Sequence, residues 1–136
     1  MTTMPGSPVV GGEQVDLTVV VPASNSEATI AEQLDALVSQ RWAGRFEVVV
    51  VDNRSTDRTP EIVSDYATRH ENVRLIPALE RQGIGYARNV GIGEARGVAV
   101  LMCDSDDVVA PGWIAALGDA LRSHDFVTGP LDVRSL

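Results

Sequence analysis

The chain has 136 residues, of which 44% are hydrophobic, so it fits one domain and can bury a core. Its formal net charge of −8 argues against a general nucleic-acid-binding protein, which needs a basic face. All 11 basic residues are arginine, which excludes a P-loop lysine, a Schiff-base lysine and a lysine general base.

Residues 1–15 are predicted to form a disordered leader, because they lack the basic start and the apolar run of a signal peptide. The domain is assigned to residues 16–136. A single cysteine, Cys103, cannot form an internal disulfide, and no apolar run approaches the roughly 18 residues of a membrane span. The sequence therefore predicts a cytoplasmic chain without a membrane segment, or a membrane-peripheral one within a longer parent protein.

Strand-like and helix-like segments alternate after the leader. Continuous apolar runs predict buried strands over 17–22, 46–52, 73–77 and 98–104, with a last strand over 125–133. Apolar residues at helical spacing predict helices over 24–40, 55–70, 85–96 and 110–124. This alternation predicts an α/β fold, with a mostly parallel sheet and helices on both of its faces.

Helix-capping residues are predicted from local chemistry. Asn25 or Ser26 would cap the first helix, and Thr56 or Asp57 would cap the second. Gly97 would end the third helix.

Three predicted strands end in polar or acidic residues, over 22–25, 52–55 and 104–107. Ligands of open parallel sheets bind outside the carboxyl ends of the strands. The sequence therefore predicts a ligand site at this edge of the sheet.

The acidic turn after the fourth strand holds Asp104, Asp106 and Asp107. Carboxylates two residues apart can share one hard cation, and oxygen ligands suit Mg²⁺ or Mn²⁺. Asp104 and Asp106 are predicted to bind a metal or a nucleotide. The alternative is that Asp106 or Asp107 only begins the next helix, where a carboxylate is favourable.

Two further residues are candidates for ligand contact. Asp52 ends the second strand and could accept hydrogen bonds from a base or ribose, whereas Ser55 to Asp57 are better explained as capping residues. Arg88 enters a helix near the predicted anion site, where it would neutralise a phosphate, pair with an acid, or do both. Gly83 and Gly85 imitate a dinucleotide-binding fingerprint poorly, because Arg88 takes the third glycine position.

The segments VVVPASNSEATI, VVVVDNRSTDRT, GIGYARNVGIGEARG and LMCDSDD occur in an order that resembles the N-terminal half of family-2 inverting glycosyltransferases. The resemblance implies the Rossmann-like, nucleotide-binding half of a GT-A fold, a nucleotide-sugar donor of UDP or dTDP type, and Mn²⁺ or Mg²⁺. It places Pro22, Ala23, Asn25, Asp52, Arg88, Asp104 and Ser105 against the nucleotide sugar, and Asp106 with Asp104 on the metal.

The chain departs from the family pattern in two respects. Asn53 stands where the family often has a second acid, and this is expected to alter base recognition. The family's general base and acceptor-binding strands come well after the D-x-D motif, so we expect the domain to be incomplete at its C-terminus and assign no catalytic residue.

A second hypothesis is a non-catalytic α/β nucleotide-binding or interaction module that lacks the general base. An incomplete sheet would leave an exposed edge through which the chain could self-associate. A receiver-like phosphoacceptor domain is excluded, because it needs a lysine near its acids. The acceptor, whether sugar, lipid or protein, is not indicated by the sequence.

Overall fold

The computed structural model describes residues 14–123, in which four strands alternate with four helices. Most of the predicted leader and the whole predicted strand over 125–133 lie outside the described residues. The strands are β1 (Leu17–Ala23), β2 (Phe46–Asp52), β3 (Val73–Pro77) and β4 (Ala99–Met102), and the helices are α1 (Ile30–Val38), α2 (Thr59–Arg69), α3 (Ile84–Glu94) and α4 (Trp113–Ser123).

The strands form one parallel sheet in the order β3-β2-β1-β4, which confirms the predicted α/β architecture. Ala23 at the end of β1 pairs with Asp52 of β2, and Asp52 pairs with Pro77 of β3. Three strands therefore end level at one edge of the sheet. β4 stops earlier, with Met102 opposite Val20, so its following loop begins lower on β1.

Helices cover both faces of the sheet, as predicted. Val19 and Val21 of β1 point into one core, and Val20 between them points into the other, as the two-residue period of a strand requires. Helices α1, α2 and α4 pack on the first core and α3 packs on the second, through residues that include Ile30, Leu34, Val63, Ile114 and, from α3, Ala87.

The predicted caps of the first two helices are wrong. Helix α1 begins at Ile30 with Thr29 at the N-cap, and no side chain caps it. Helix α2 begins at Thr59, with Arg58 at the N-cap. Asn25 and Thr56 bond to each other across two neighbouring loops instead. Asp57 does not occupy the N-cap, but its carboxylate accepts from the N–H (2.9 Å) and the hydroxyl (2.6 Å) of Thr59, the first residue of α2.

Gly97 does not end the third helix, which stops at Glu94. A Cβ atom on Gly97 would lie 2.6 Å from the backbone carbon of Leu17 and from the backbone nitrogen of Thr18. This position therefore requires glycine because the chain crosses β1 in close contact.

A buried carboxylate, Glu47, joins the amino ends of three strands. Its side chain accepts hydrogen bonds from the Thr18 hydroxyl (2.7 Å), Arg74 Nε (3.0 Å) and the Arg96 N–H (2.9 Å). Burial raises the pKa of Glu47, but these bonds and the charge of Arg74 outweigh burial and leave the pKa below its ordinary value of 4.5. The charged form of Glu47 is therefore favoured by folding.

Because its pKa is lowered in the folded state, Glu47 stabilises the fold above its unfolded pKa, and this contribution disappears as the pH falls through the folded value. We expect Glu47→Gln to lower the urea midpoint near pH 7, with a difference from wild type that shrinks as the pH falls below about 4. Urea unfolding of both proteins across this pH range measures the difference in midpoint. Glu61→Gln is the control, since Glu61 forms only an exposed ion pair with Arg58. A difference that does not change with pH would contradict the prediction.

No helix within residues 14–123 is long and apolar enough to cross a membrane.

Candidate functional site

A pocket of about 530 Å³ lies at the carboxyl edge of the sheet. Its walls come from the loops after β1, β2 and β4 and from the start of α3. Six of the residues that the sequence predicted for the site line it, namely Pro22, Ala23, Asn25, Asp104, Ser105 and Asp106. The other two, Asp52 and Arg88, are not among its lining residues.

The acidic turn brings three carboxylates together at one side of the pocket. Oxygen atoms of Asp104, Asp106 and Asp107 lie within 4.8 Å of one another. The Asp107 N–H donates to the Asp104 carbonyl (3.3 Å), which closes the turn. Helix α4 begins only at Trp113, so the suggestion that Asp106 or Asp107 begins that helix is wrong.

The charge of this cluster fits a divalent cation. Two unit charges about 4 Å apart repel by between about 1 kcal/mol in bulk water and about 4 kcal/mol near a protein surface. Arg88 lies 3.7 Å from Asp104 (Nη2 to Oδ1), but both side chains are about half exposed, 43% and 51%. A pair so exposed contributes about 1 kcal/mol or less, which does not offset the repulsion among three acids. Hard carboxylate oxygens are the ligands that Mg²⁺ and Mn²⁺ take.

Asp52 is buried at the end of β2, with 7% of its surface exposed. Its Oδ1 atom is the one buried side-chain nitrogen or oxygen within residues 14–123 that has no hydrogen-bond partner. An unpaired buried polar atom costs about 1–3 kcal/mol, and more when it is charged. The chain therefore carries at this strand end an acceptor that a ligand donor could satisfy.

Asn53 organises the loop between β3 and α3. Its Nδ2 donates to the carbonyls of Ala78 (2.8 Å) and Arg81 (2.7 Å), and its Oδ1 accepts from the Gly83 N–H (2.9 Å). An aspartate could not donate to these two carbonyls. The departure from the family pattern at this position thus has a structural use, which the sequence did not reveal.

The loops after β1 and β2 are joined by reciprocal hydrogen bonds. The Asn25 side-chain oxygen accepts from the Thr56 N–H (2.7 Å), and the Asp57 carboxylate accepts from the Glu27 N–H (3.1 Å). Asn25 adopts a left-handed conformation, with φ of 51°, which asparagine tolerates. The side-chain oxygen of Asn25 is therefore engaged within the protein, although the residue lines the pocket.

Two residues that shape the site, Ser26 and Gln33, were not predicted to do so from the sequence. Ser26 and Ser105 place their hydroxyl oxygens 2.6 Å apart, which connects the first loop to the acidic turn. Gln33 is buried and bonds to the backbone of the same turn. A polar residue within the apolar stripe of the first helix is the only feature that could have drawn attention to Gln33.

Comparison with known families decides the classification. The sequence model that describes glycosyl transferase family 2 matches residues 18–136. The chain belongs to this family. The family predicted from the four sequence motifs is thus confirmed, together with the GT-A type of fold.

Family-2 relatives resemble the chain over most of its length. Succinoglycan biosynthesis protein ExoO from Rhizobium meliloti (strain 1021) is 45% identical over 96 residues, which are 71% of this chain and 27% of ExoO. The crystal structure of S. aureus TarS 1-349 in complex with UDP-GlcNAc superimposes with a TM-score of 0.69 at 39% identity, covering 82% of this chain and 31% of the TarS 1-349 chain.

A third similar protein was solved with a metal. The mannosyltransferase PcManGT from Pyrobaculum calidifontis, in complex with GDP-Man and Mn²⁺, has a TM-score of 0.65 at 33% identity, covering 81% of this chain and 32% of PcManGT. The chain thus spans about a third or less of the length of these relatives.

Proposed function

We propose that the chain binds a nucleotide-diphosphate sugar of UDP or dTDP type, through a divalent metal at the acidic turn, for inverting glycosyl transfer. The observation that carries the proposal is the cluster of the Asp104, Asp106 and Asp107 carboxylates, of which Asp104 and Asp106 line the pocket. Similar proteins were solved with UDP-GlcNAc and with GDP-Man and Mn²⁺, which supports this kind of ligand.

Each side of the pocket has a part in this proposal. Asp106 and Asp104 would hold Mn²⁺ or Mg²⁺, and a metal there supplies positive charge to the departing nucleoside diphosphate. Ser105 lies between them and contacts the donor beside the turn. Arg88 lies 3.7 Å from Asp104, and its guanidinium would add a positive charge beside the diphosphate.

The nucleoside would lie across the ends of β1 and β2. Pro22 and Ala23 form the wall at the end of β1, and Asn25 continues it. Asp52 offers its unpartnered oxygen to a donor group of the base. We propose donor binding for residues 14–123, and we assign to them no role in deprotonating the acceptor.

Calorimetric titration of the 136-residue chain tests the proposal. UDP, dTDP and GDP are titrated in the presence of Mn²⁺, of Mg²⁺ and of EDTA. We expect UDP or dTDP to bind in a metal-dependent way and GDP to bind more weakly. Absence of binding by all three nucleotides, with and without metal, would refute the proposal.

The non-catalytic alternative predicts a different result. Strand β4 pairs with β1 alone among the described strands, so no strand within residues 14–123 covers its other edge, and Met102 on it is partly exposed. An open strand edge favours pairing with another chain. A stable dimer in sedimentation that does not respond to nucleotide or metal would support this alternative.

Asp52→Ala is expected to weaken nucleotide binding while leaving the fold as stable as before or more stable. The unpartnered Oδ1 atom costs free energy in the ligand-free protein, and alanine removes that cost. We expect the UDP affinity to fall about tenfold or more, the equivalent of about 1.4 kcal/mol for a lost hydrogen bond to a charged group. Calorimetry and urea unfolding measure the two effects. A variant that is less stable but binds UDP normally would show that Asp52 serves the fold.

A further inference from the structure

Two buried glutamines lie in and just after helix α1: Gln33 within the helix, and Gln40 two residues beyond its end at Val38. Gln33 has no exposed surface, and it lies between Ile30 and Leu34 in the apolar stripe of the helix. A buried amide without partners would destabilise the fold, so each buried glutamine needs both a donor and an acceptor nearby. Both find them in the backbone between Asp104 and Ile114, which runs from the end of β4 into the first turn of α4.

Gln33 holds the acidic turn at two points. Its Nε2 donates to the carbonyl of Asp104 (2.9 Å), and its Oε1 accepts from the N–H of Val109 (3.1 Å). The same Asp104 carbonyl accepts the Asp107 N–H that closes the turn. One rigid, buried amide thus fixes the start of the acidic turn and the backbone just beyond it.

Gln40 holds the same loop farther along. Its Nε2 donates to the carbonyl of Ala110 (2.9 Å), and its Oε1 accepts from the N–H of Ile114 (3.0 Å). Each glutamine therefore bonds to one carbonyl and one N–H of the backbone between Asp104 and Ile114, and Gln40 also donates to the carbonyl of Ala36 (3.2 Å). Gln33 alone bonds to a residue of the acidic cluster.

We propose that Gln33 is a positioning residue that presets the carboxylates of the turn for a divalent cation, an inference that rests on the proposed function. Three acids close together repel one another, and their partly exposed turn would open unless the backbone were held. Gln33 holds it from the core, where its own side chain cannot move. Partners that orient metal ligands in this way typically change metal affinity 10–100-fold when they are removed.

The contact between Ser26 and Ser105 supports this role. It holds the middle residue of the Asp104–Asp106 segment from the side of the first loop. The turn is thus fixed by α1 and by the loop that leads into α1. Both attachments come from the same chain segment, so the position of the acids follows the position of α1.

Gln33→Met and Gln40→Met form a matched pair for testing this role. Each replaces a buried amide by an apolar side chain of similar length, and each removes one bond to a carbonyl and one to an N–H between Asp104 and Ile114, while Gln40→Met also removes the bond to Ala36. The Mn²⁺ affinity of the 136-residue chain is measured with UDP present, from the electron paramagnetic resonance signal of free Mn²⁺, and the melting temperature is measured in EDTA.

We expect both variants to lower the melting temperature, and Gln33→Met alone to weaken Mn²⁺ binding by about 10-fold or more. Equal Mn²⁺ affinity in wild type and Gln33→Met would overturn the inference. So would an equal loss in both variants, which would indicate general loosening of the loop. A wild-type chain that binds no Mn²⁺ would refute the proposed metal site itself, a result that is visible before any variant is made.

Gln33→Glu is the second variant for this test, to be used if Gln33→Met does not fold. The glutamate keeps the size of the side chain and can still accept the Val109 N–H, but when ionised it cannot donate to Asp104. We expect a folded Gln33→Glu chain, verified by near-ultraviolet circular dichroism, to bind Mn²⁺ more weakly than wild type. Unchanged affinity in this variant would equally overturn the inference.

Discussion

Asp106→Asn is expected to abolish metal-dependent binding of UDP. Asparagine keeps the shape of the side chain but removes one of the three charges that gather within 4.8 Å. A residue that binds the metal directly should affect binding more than a residue that only orients a metal ligand. We therefore expect the affinity for UDP in the presence of Mn²⁺ to fall by about 100-fold or more. Calorimetric titration of UDP in Mn²⁺ and in EDTA measures the loss, and we expect the variant in Mn²⁺ to behave as wild type does in EDTA.

Asp65→Asn is the matched control for this experiment. It makes the same change of charge on the exposed surface of α2, where Asp65 pairs only with Arg69. We expect its UDP affinity to equal that of wild type. Normal binding by Asp106→Asn, or an equal loss in the control, would argue against a metal at the turn.

Gly97→Ala is expected to have the largest effect on stability. The added methyl group would lie 2.6 Å from the backbone of Leu17 and Thr18, and the backbone of a central strand cannot move aside as a flexible side chain can. We expect a loss of about 3 kcal/mol, at the upper end of what overpacking costs. This is a large part of the stability of a small domain, about 5–15 kcal/mol. Urea unfolding followed by circular dichroism measures the loss.

Gly93→Ala makes the same substitution and is expected to have the opposite effect on stability. Gly93 lies within α3, and a Cβ atom there would meet no neighbour within 4 Å. Alanine favours the helix over glycine by about 1 kcal/mol, so this variant should be more stable than wild type. If Gly97→Ala were also neutral or stabilising, the close approach of the chain to β1 would be wrong.

The strands could be predicted from the sequence more accurately than the helix ends. β2 and β3 have the predicted bounds, because continuous runs of valine and its neighbours leave few other structures open. The start of α1 was misplaced, because Asn25 can bond equally well to its own helix or to another loop. In the folded chain Asn25 accepts from the Thr56 N–H of the second loop, and only folding brings these two residues together.

The features of the site likewise divide into those that could be predicted from the sequence and those that could not. A chain with acids at parallel strand ends must bring them to one edge, so the acidic turn and the first loop could be placed together in advance. The roles of Asn53 and Gln33 could not, because each depends on backbone groups many residues away. Nothing in the pattern of a single helix indicates which distant carbonyl a buried amide will reach.

The position of β4 in the sheet affects the order in which the site can assemble. β1 pairs with β2, its neighbour along the chain, but its pairing with β4 must wait until about 80 residues of intervening chain have been brought together. The loops after β1 and β2 can thus form the nucleotide side of the pocket early in folding. The acidic turn joins them only when β4 pairs with β1, so we expect the capacity to hold a cation to be the last part of the site to form.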